Sequence, residues 1–311
     1  MKKILITGGA GYIGSKLATK LLNLNFKVTV IDLLKFSGKS LNHLYSNTNF
    51  TFINDDVRNK KLMTKLIKSN DFIIPLAALV GAPLCEKKKK EAIAVNLESI
   101  RFMMKNIKKS KKIIYLTTNS GYGVGQKNKY CDEKSELNPI SLYGRTKVEA
   151  EKIIMKHKNS IGFRLATVFG NSYRMRTDLL VNNFVYRSVK FRKIKIFEPH
   201  FRRNYIHIDD VVDGILYSIN NFNRLKSEIY NLGLSSANLT KIMLAKKIKK
   251  QLPALKINII KNIKDPDQRD YYVSNKKIEK RGFKAKVNID DGIKELIDIF
   301  TYSKEKITNN Y

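Results

Sequence analysis

"LITGGAGYIGSKLATKLL", residues 5–22, decides the fold. It starts in a β-branched run, "KILIT" (3–7), passes through glycines and enters a pattern that predicts a helix over 12–24. Gly9, Gly11 and Gly14 match G-x-G-x-x-G, and Gly8, Gly11 and Gly14 match G-x-x-G-x-x-G. A tight turn without a ligand would also use glycines. Between a strand and a helix, however, the spacing has a mechanism. The turn carries no Cβ, a pyrophosphate can approach closely, and a helix amino end faces its charge. The next strand, "KVTVID" (27–32), ends in Asp32, within the ~20 residues at which a carboxylate accepts ribose hydroxyls. Alone, Asp32 also reads as a strand-end turn residue. Leu33 and Leu34 follow it, where an arginine would welcome a 2′-phosphate; only Lys35 tempers this, and NAD is favoured over NADP. Asp55 and Asp56 close the third strand, either to meet the adenine or to cap a helix from Val57 onward.

Outward from this stretch, β-branched runs alternate with helical patterns. Strands are expected at 27–32, 50–55, 71–77, 112–118 and 161–166, with helices near 58–69, 86–109 and 142–157. Such alternation predicts an α/β fold: a Rossmann doubly wound parallel sheet covered on both faces. The rhythm breaks over 171–200 and 233–285, which are expected to form a smaller, partly discontinuous α+β lobe over the carboxyl ends of the strands. The predicted division is 1–167 with about 205–232 for the NAD-binding domain, and 168–204 with 233–311 for the substrate lobe.

At 311 residues, 43% hydrophobic and 28% charged, the chain suits one sizeable globular core with a lobe. No apolar run nears the ~20 residues of a membrane span. In "MKKILITGG" the apolar stretch is too short for a signal peptide. Cys85 and Cys131 are the only cysteines, which fits a reducing cytoplasm. A net charge of +33 invites a nucleic-acid reading, yet the lysines are spread over most helices beside abundant isoleucine and asparagine. Biased codon usage accounts for all three, so no nucleic-acid partner is expected; "EKKKKEA" (86–92) reads as a solvated helix start. The four histidines show no ligand spacing with cysteines, and no metal is implied.

"SLYGRTKVEAEKI" (141–153) places Tyr143 and Lys147 four apart, on one helical stripe with Ala150 and Ile154. A free phenol has a pKa of ~10, and a nearby cation lowers it toward use as a base. Beside a nicotinamide the pair would act as a tuned acid/base. A buried tyrosine and a snorkelling lysine give the same spacing without chemistry. Asn96 lies on the apolar stripe Ile93, Leu97, Ile100, Met104, Ile107, where a polar group needs partners.

"TGGAGYIG", "LAALVGAP" (76–83), "TTNSGYG" (117–123), "YGRTK" (143–147) and "RRNYIHIDDVV" (202–212) together resemble the extended short-chain dehydrogenase/reductases that act on nucleotide sugars. The likeness runs to about residue 299. Within that family, "IIPLAALVGAPLC", "FRLATVFG", "LGLSSANLTK" and "DPDQRDYYVSN" resemble enzymes that oxidise GDP-D-glycero-α-D-manno-heptose at C4. The resemblance implies NAD held by Gly8, Gly11, Tyr12, Ile13, Gly14, Asp32, Asp56, Val57, Leu76, Ala77 and Ala78, with Tyr143 and Lys147 at the nicotinamide end. It implies Thr118 on the sugar oxygen and Asn96 supporting the lysine through a proton relay. Asn119, Ser120, Asn182 (or Asn183), Arg203 and Arg269 would join Thr118 and Tyr143 in contacting the sugar nucleotide, with a bidentate arginine suited to the diphosphate. Arg174 and Arg176 are further pocket candidates. His207, beside Asp209 and Asp210, resembles a structural position. Thr167 departs from the asparagine many relatives place on the phosphate.

Related 4,6-dehydratases carry Asp-Glu directly after the threonine; Asn119-Ser120 stands here, and neither titrates near neutrality. The expectation is therefore an NAD-dependent C4 dehydrogenase of a GDP-linked sugar. A C4 epimerase using the same transient ketone and a non-catalytic NAD-binding regulator are the alternatives. The resemblance also implies a homodimer through the helices near 86–109 and 142–157.

Overall fold

The computed structural model describes residues 1–36, 38–125, 129–260 and 269–302. Of "DPDQRDYYVSN", the stretch 265–268 lies outside the described residues, as does 303–311 of the expected lobe.

Seven strands build the main sheet: β1 (Lys3–Thr7), β2 (Lys27–Asp32), β3 (Phe50–Asn54), β4 (Phe72–Pro75), β5 (Lys112–Thr118), β6 (Ser160–Leu165) and β7 (Glu228–Leu232). Their order is β7-β6-β5-β4-β1-β2-β3, and every pairing is parallel. The order reverses between β1 and β4, the crevice where doubly wound sheets bind ligands. Side-chain alternation splits the strands between two cores. Ile4, Ile6, Val28, Val30, Ile114 and Phe163 face α1 (Tyr12–Asn23) on one side. Leu5, Ile31, Ile73, Ile113 and Tyr115 face α2 (Lys60–Ser69), α3 (Ser99–Asn106) and α4 (Leu142–Ile154) on the other. Each such fully buried aliphatic side chain contributes roughly 1.5–3 kcal/mol, which is why the strands read as near-continuous apolar runs.

Two expectations are revised. The helix starting after Asp56 begins only at Lys60, because Asn59 is its cap, accepting from Leu62 N at 3.2 Å. The single helix expected near 86–109 is instead a broken run. It comprises Ala82–Lys87, Lys89–Ile93, a π turn over Ala94–Glu98, and α3. Asn96 sits in that π turn, with its amide turned inward.

The later segments are less irregular than their sequence suggests. Thr167–Phe169, Arg202–His207 and Asn238–Thr240 form a three-stranded mixed sheet, and Lys193–Phe197 pairs in parallel with Lys256–Ile260. Helices Leu180–Phe191, Lys241–Gln251 and Ile289–Tyr302 pack around them. Among the described residues no helix is long and apolar enough to cross a membrane.

Candidate active site

The glycine turn leaves room that no side chain could share. Gly8 has φ +70°, and a Cβ there would lie 2.6 Å from Ala77 N and Cα. A Cβ on Gly14 would lie 2.6 Å from Gly8 O, so its absence lets α1 seat directly on the turn. Asp32 Oδ2 accepts from Ala10 N at 3.0 Å and Oδ1 from Leu34 N at 2.8 Å, fastening the turn to the end of β2. Burial raises the pKa of this carboxyl against those hydrogen bonds. A cavity of about 570 Å³ opens here, lined by Gly8, Gly11, Tyr12, Ile13, Gly14, Asp32, Asp56, Val57, Leu76, Ala77 and Ala78. Asp56 is held by Arg58 through a two-point contact that lowers its pKa. Lys35, also on the wall, pairs with Glu91.

Thr118 and Tyr143 lie on the wall of the same cavity. Ser141 caps α4 by accepting from Gly144 N at 3.1 Å, fixing where Tyr143 leaves the helix. Thr118 Oγ1 sits 2.9 Å from Ser120 Oγ and accepts from Ser120 N, and Arg269 donates to Ser120 Oγ. Lys147 differs from expectation. It does not line the cavity: its ammonium lies 4.1 Å from the centroid of the Tyr115 ring on β5. Burial pushes its pKa down to about 7, with Glu151 one turn on partly opposing that. A buried ammonium loses hydration that one ring face does not replace. Its charge is therefore conditional, where the sequence suggested a standing cation.

Asn96 likewise has a different immediate task. Its Oδ1 accepts from Leu79 N at 2.8 Å, and its Nδ2 donates to Leu79 O at 3.0 Å and toward Thr146 Oγ1 at 3.5 Å. It pins the cavity-lining loop that begins at Leu76 to α4, away from the wall itself.

Among the substrate residues, Ser120, Arg203 and Arg269 line the cavity, joined by Arg174, Arg176, Lys241 and Thr167. Arg203 is 2% exposed and stacks 5.8 Å from the Tyr271 ring centroid. Asn182 and Asn119 do not line the cavity, and the expectation for them is corrected. Asn182 is fully buried, accepting from Gly170 N and donating to Tyr12 OH and Arg176 O; its neighbour Asn183 takes the wall position. Asn119 is 1% exposed, and neither side-chain amide atom is hydrogen-bonded among the described residues. His207 caps the helix Ile208–Asn220, accepting from Asp209 N, and its Nε2 lies 2.7 Å from Glu295. His207, Asp209 and Glu295 are grouped closely enough to hold an ion, though Asp209 already pairs with Lys16. Glu295 is too distant in sequence for ligand spacing to reveal the group.

Residues 4–233 match the model of the NAD dependent epimerase/dehydratase family. The chain belongs to that family. An uncharacterized protein of Methanocaldococcus jannaschii is 30% identical, over 98% of both chains. A trifunctional UDP-glucose 4,6-dehydratase/3,5-epimerase/reductase of Arabidopsis thaliana is 26% identical over 98% of this chain; the chain spans only 48% of that protein. The solved UDP-glucuronic acid 4-epimerase of Bacillus cereus, in complex with UDP-glucuronic acid and NAD, has the same fold. It matches with a TM-score of 0.84 and 24% identity, over 96% of this chain and 98% of its own.

The family is NAD-dependent by its own description, so NAD is the cofactor against which the site is tested. The residues present fit the cofactor. The cradle at Gly8 and Gly14 has no space for a Cβ, and the cavity beside it holds a buried guanidinium, Arg174, whose Nη1 and Nη2 have no hydrogen-bond partner among the described residues. The sequence singled out Arg174 only as a pocket candidate; its burial shows only in the fold.

Proposed function

We propose that this enzyme oxidises the C4 hydroxyl of a nucleotide-diphosphate sugar to a ketone, with a GDP-linked manno-heptose as the substrate type its motifs resemble. One observation carries the reading: Thr118 and Tyr143 share a single cavity with the glycine turn and with Arg203 and Arg269. NAD, held by the glycine turn and Asp32, would supply the acceptor for the hydride leaving C4. Thr118 Oγ1, oriented by Ser120, hydrogen-bonds the sugar oxygen, and Tyr143 takes its proton as the carbonyl forms. Lys147, when protonated beneath the wall, favours the ionised phenol. Arg203 and Arg269 hold the diphosphate. Dehydration would need an acid and a base next to Thr118, and Asn119 and Ser120 supply neither. C4 epimerisation is the second reading, supported by the fold shared with a 4-epimerase. The assembly we propose is a homodimer in the cytoplasm.

Incubating the protein with GDP-, UDP- and dTDP-sugars, while following absorbance at 340 nm and product NMR, tests this. A ketosugar with accumulating NADH supports dehydrogenation; a C4 epimer without ketone moves the reading to epimerase, and no turnover of any sugar nucleotide removes it. Tyr143→Phe is expected to lower kcat by about 10²–10⁴-fold, the range for losing one general acid/base; unchanged turnover would remove Tyr143 from the chemistry.

A further inference from the structure

We propose that Arg174 anchors the pyrophosphate of the NAD cofactor from outside the nucleotide-binding turn, so that cofactor affinity depends on the segment Gly170–Arg176. The proposal rests on NAD as cofactor and holds whichever sugar is the substrate.

Three observations carry it. First, the segment is bolted to the first turn of α1. Ser172 Oγ donates to Tyr12 O at 2.6 Å and lies 3.2 Å from Ser15 Oγ, and Tyr12 OH donates to Gly170 O at 2.6 Å. Arg174 N in turn donates to Ser172 Oγ at 3.3 Å. The backbone of Arg174 is thus tied, through Ser172, to the first turn of α1, and its guanidinium lies on the same cavity as that turn, with Arg176, Asp178 and Asp32 as its charged neighbours. Second, that helix end is left open for an anion: no side chain caps it, and its first turn contains no acidic residue. Third, Arg174 is 4% exposed, its guanidinium lies 5.0 Å from the Phe36 ring centroid on the cavity wall, and Nη1 and Nη2 are buried with no hydrogen-bond partner among the described residues. A buried donor pair without an acceptor is costly, and a phosphate would relieve that cost. Arg176 is not equivalent, because Asp178 already engages it at two points.

The shared chemistry is phosphate, so two sources must be told apart: the pyrophosphate common to ADP, NAD and NADP, or a 2′-phosphate found on NADP alone. Asp32 at the end of β2 disfavours the second by charge. Equilibrium binding of ADP, NAD and NADP is measured by calorimetry on the full chain, with Arg174→Met and Arg174→Lys. The expected result is about a ten- to hundredfold weaker Kd for ADP and NAD alike in Arg174→Met, the range of one charge-assisted contact. Arg174→Lys should fall between, since it keeps the charge and loses the fork. The melting temperature of cofactor-free Arg174→Met should equal or exceed that of the parent, while its NAD-induced rise shrinks. Wild-type affinity for ADP and NAD in both variants overturns the proposal; a loss confined to NADP overturns the pyrophosphate assignment. Loss of sugar turnover with NAD affinity intact would also overturn it, while leaving the proposed reaction untouched.

Discussion

Arg164 and Arg174 are two arginines with the same burial, 5% and 4% exposed, and opposite surroundings. Arg164 meets Glu151 through Nε at 3.2 Å and Nη2 at 2.7 Å, and donates from Nη1 to Tyr122 OH at 3.1 Å. Tyr122 OH passes the chain on to Asn231 Oδ1 at 2.6 Å. Burial alone would lower the pKa of Arg164, but the contacts with Glu151 outweigh it and the net effect is a rise. At Arg174 nothing outweighs burial, and its pKa falls to about 10. Where a buried charge serves the fold, the fold completes it. At Arg174, on the cavity, completion is left to the ligand proposed above, whereas Arg176 beside it is completed by Asp178.

The comparison breaks most visibly at Glu151. Removing one member of a buried pair strands the other, so Glu151→Ala should cost about 3–5 kcal/mol in chemical denaturation. A loss below ~1 kcal/mol would mean that the pair is not what keeps Arg164 inside. Lys147 belongs with Arg174 on the incomplete side, and its substitution should act in the opposite direction. Lys147→Met should gain about 1–4 kcal/mol, the range in which an apolar residue outperforms a buried ion, while turnover falls. The sign with pH follows from its lowered pKa, about 7 folded against ~10.5 unfolded. Below about pH 7 both states carry the charge, and the cost of burying it is felt in full. Between 7 and ~10.5 the unfolded chain binds the extra proton, so wild-type stability rises with pH. The gap between variant and wild type should therefore narrow from pH 7 to pH 10; a constant gap would mean that the lysine is not desolvated.

What the sequence revealed follows the same divide between local and long-range causes. β1, its glycine turn and the strands after it are legible because strand period, Gly spacing and Asp32 all lie within a few dozen residues. The stripe that Tyr143 and Lys147 share is legible from helix periodicity, though only Tyr143 of the two lines the cavity. The desolvation of Lys147 is not legible, because it depends on the Tyr115 ring of a strand about thirty residues earlier. The partner of the buried Asn96 amide is the Leu79 backbone, and the segment carrying Arg174 is tied down by contacts between residues 12–15 and 170–174. Asn182 and Asn183 are adjacent, and only the packing of their helix decides which one reaches the cavity. The stretch 171–200 looked irregular, yet Leu180–Phe191 is helical because its Val181, Phe184 and Val185 join the core.

The smallest expected effect tests whether pairing or burial is the variable that separates the two arginines. Arg101 on α3 is also paired with carboxylates, Glu98 Oε1 at 2.6 Å and Glu149 on α4, but its side chain is 41% exposed. Water hydrates all three charges in the unfolded chain and largely in the folded one. The net gain is a modest Coulomb energy less the entropy of holding long side chains. Arg101→Ala should therefore change stability by less than ~1 kcal/mol, and added salt should erase most of that, since exposed pairs are screened over ~3 Å at 1 M. Glu151→Ala should keep its cost in the same salt, because no ion reaches a pair enclosed between α4 and β6. If the two substitutions proved equal, or lost their effects together as salt rose, desolvation would not be what separates them. The unpartnered guanidinium of Arg174 would then no longer mark a place reserved for a phosphate.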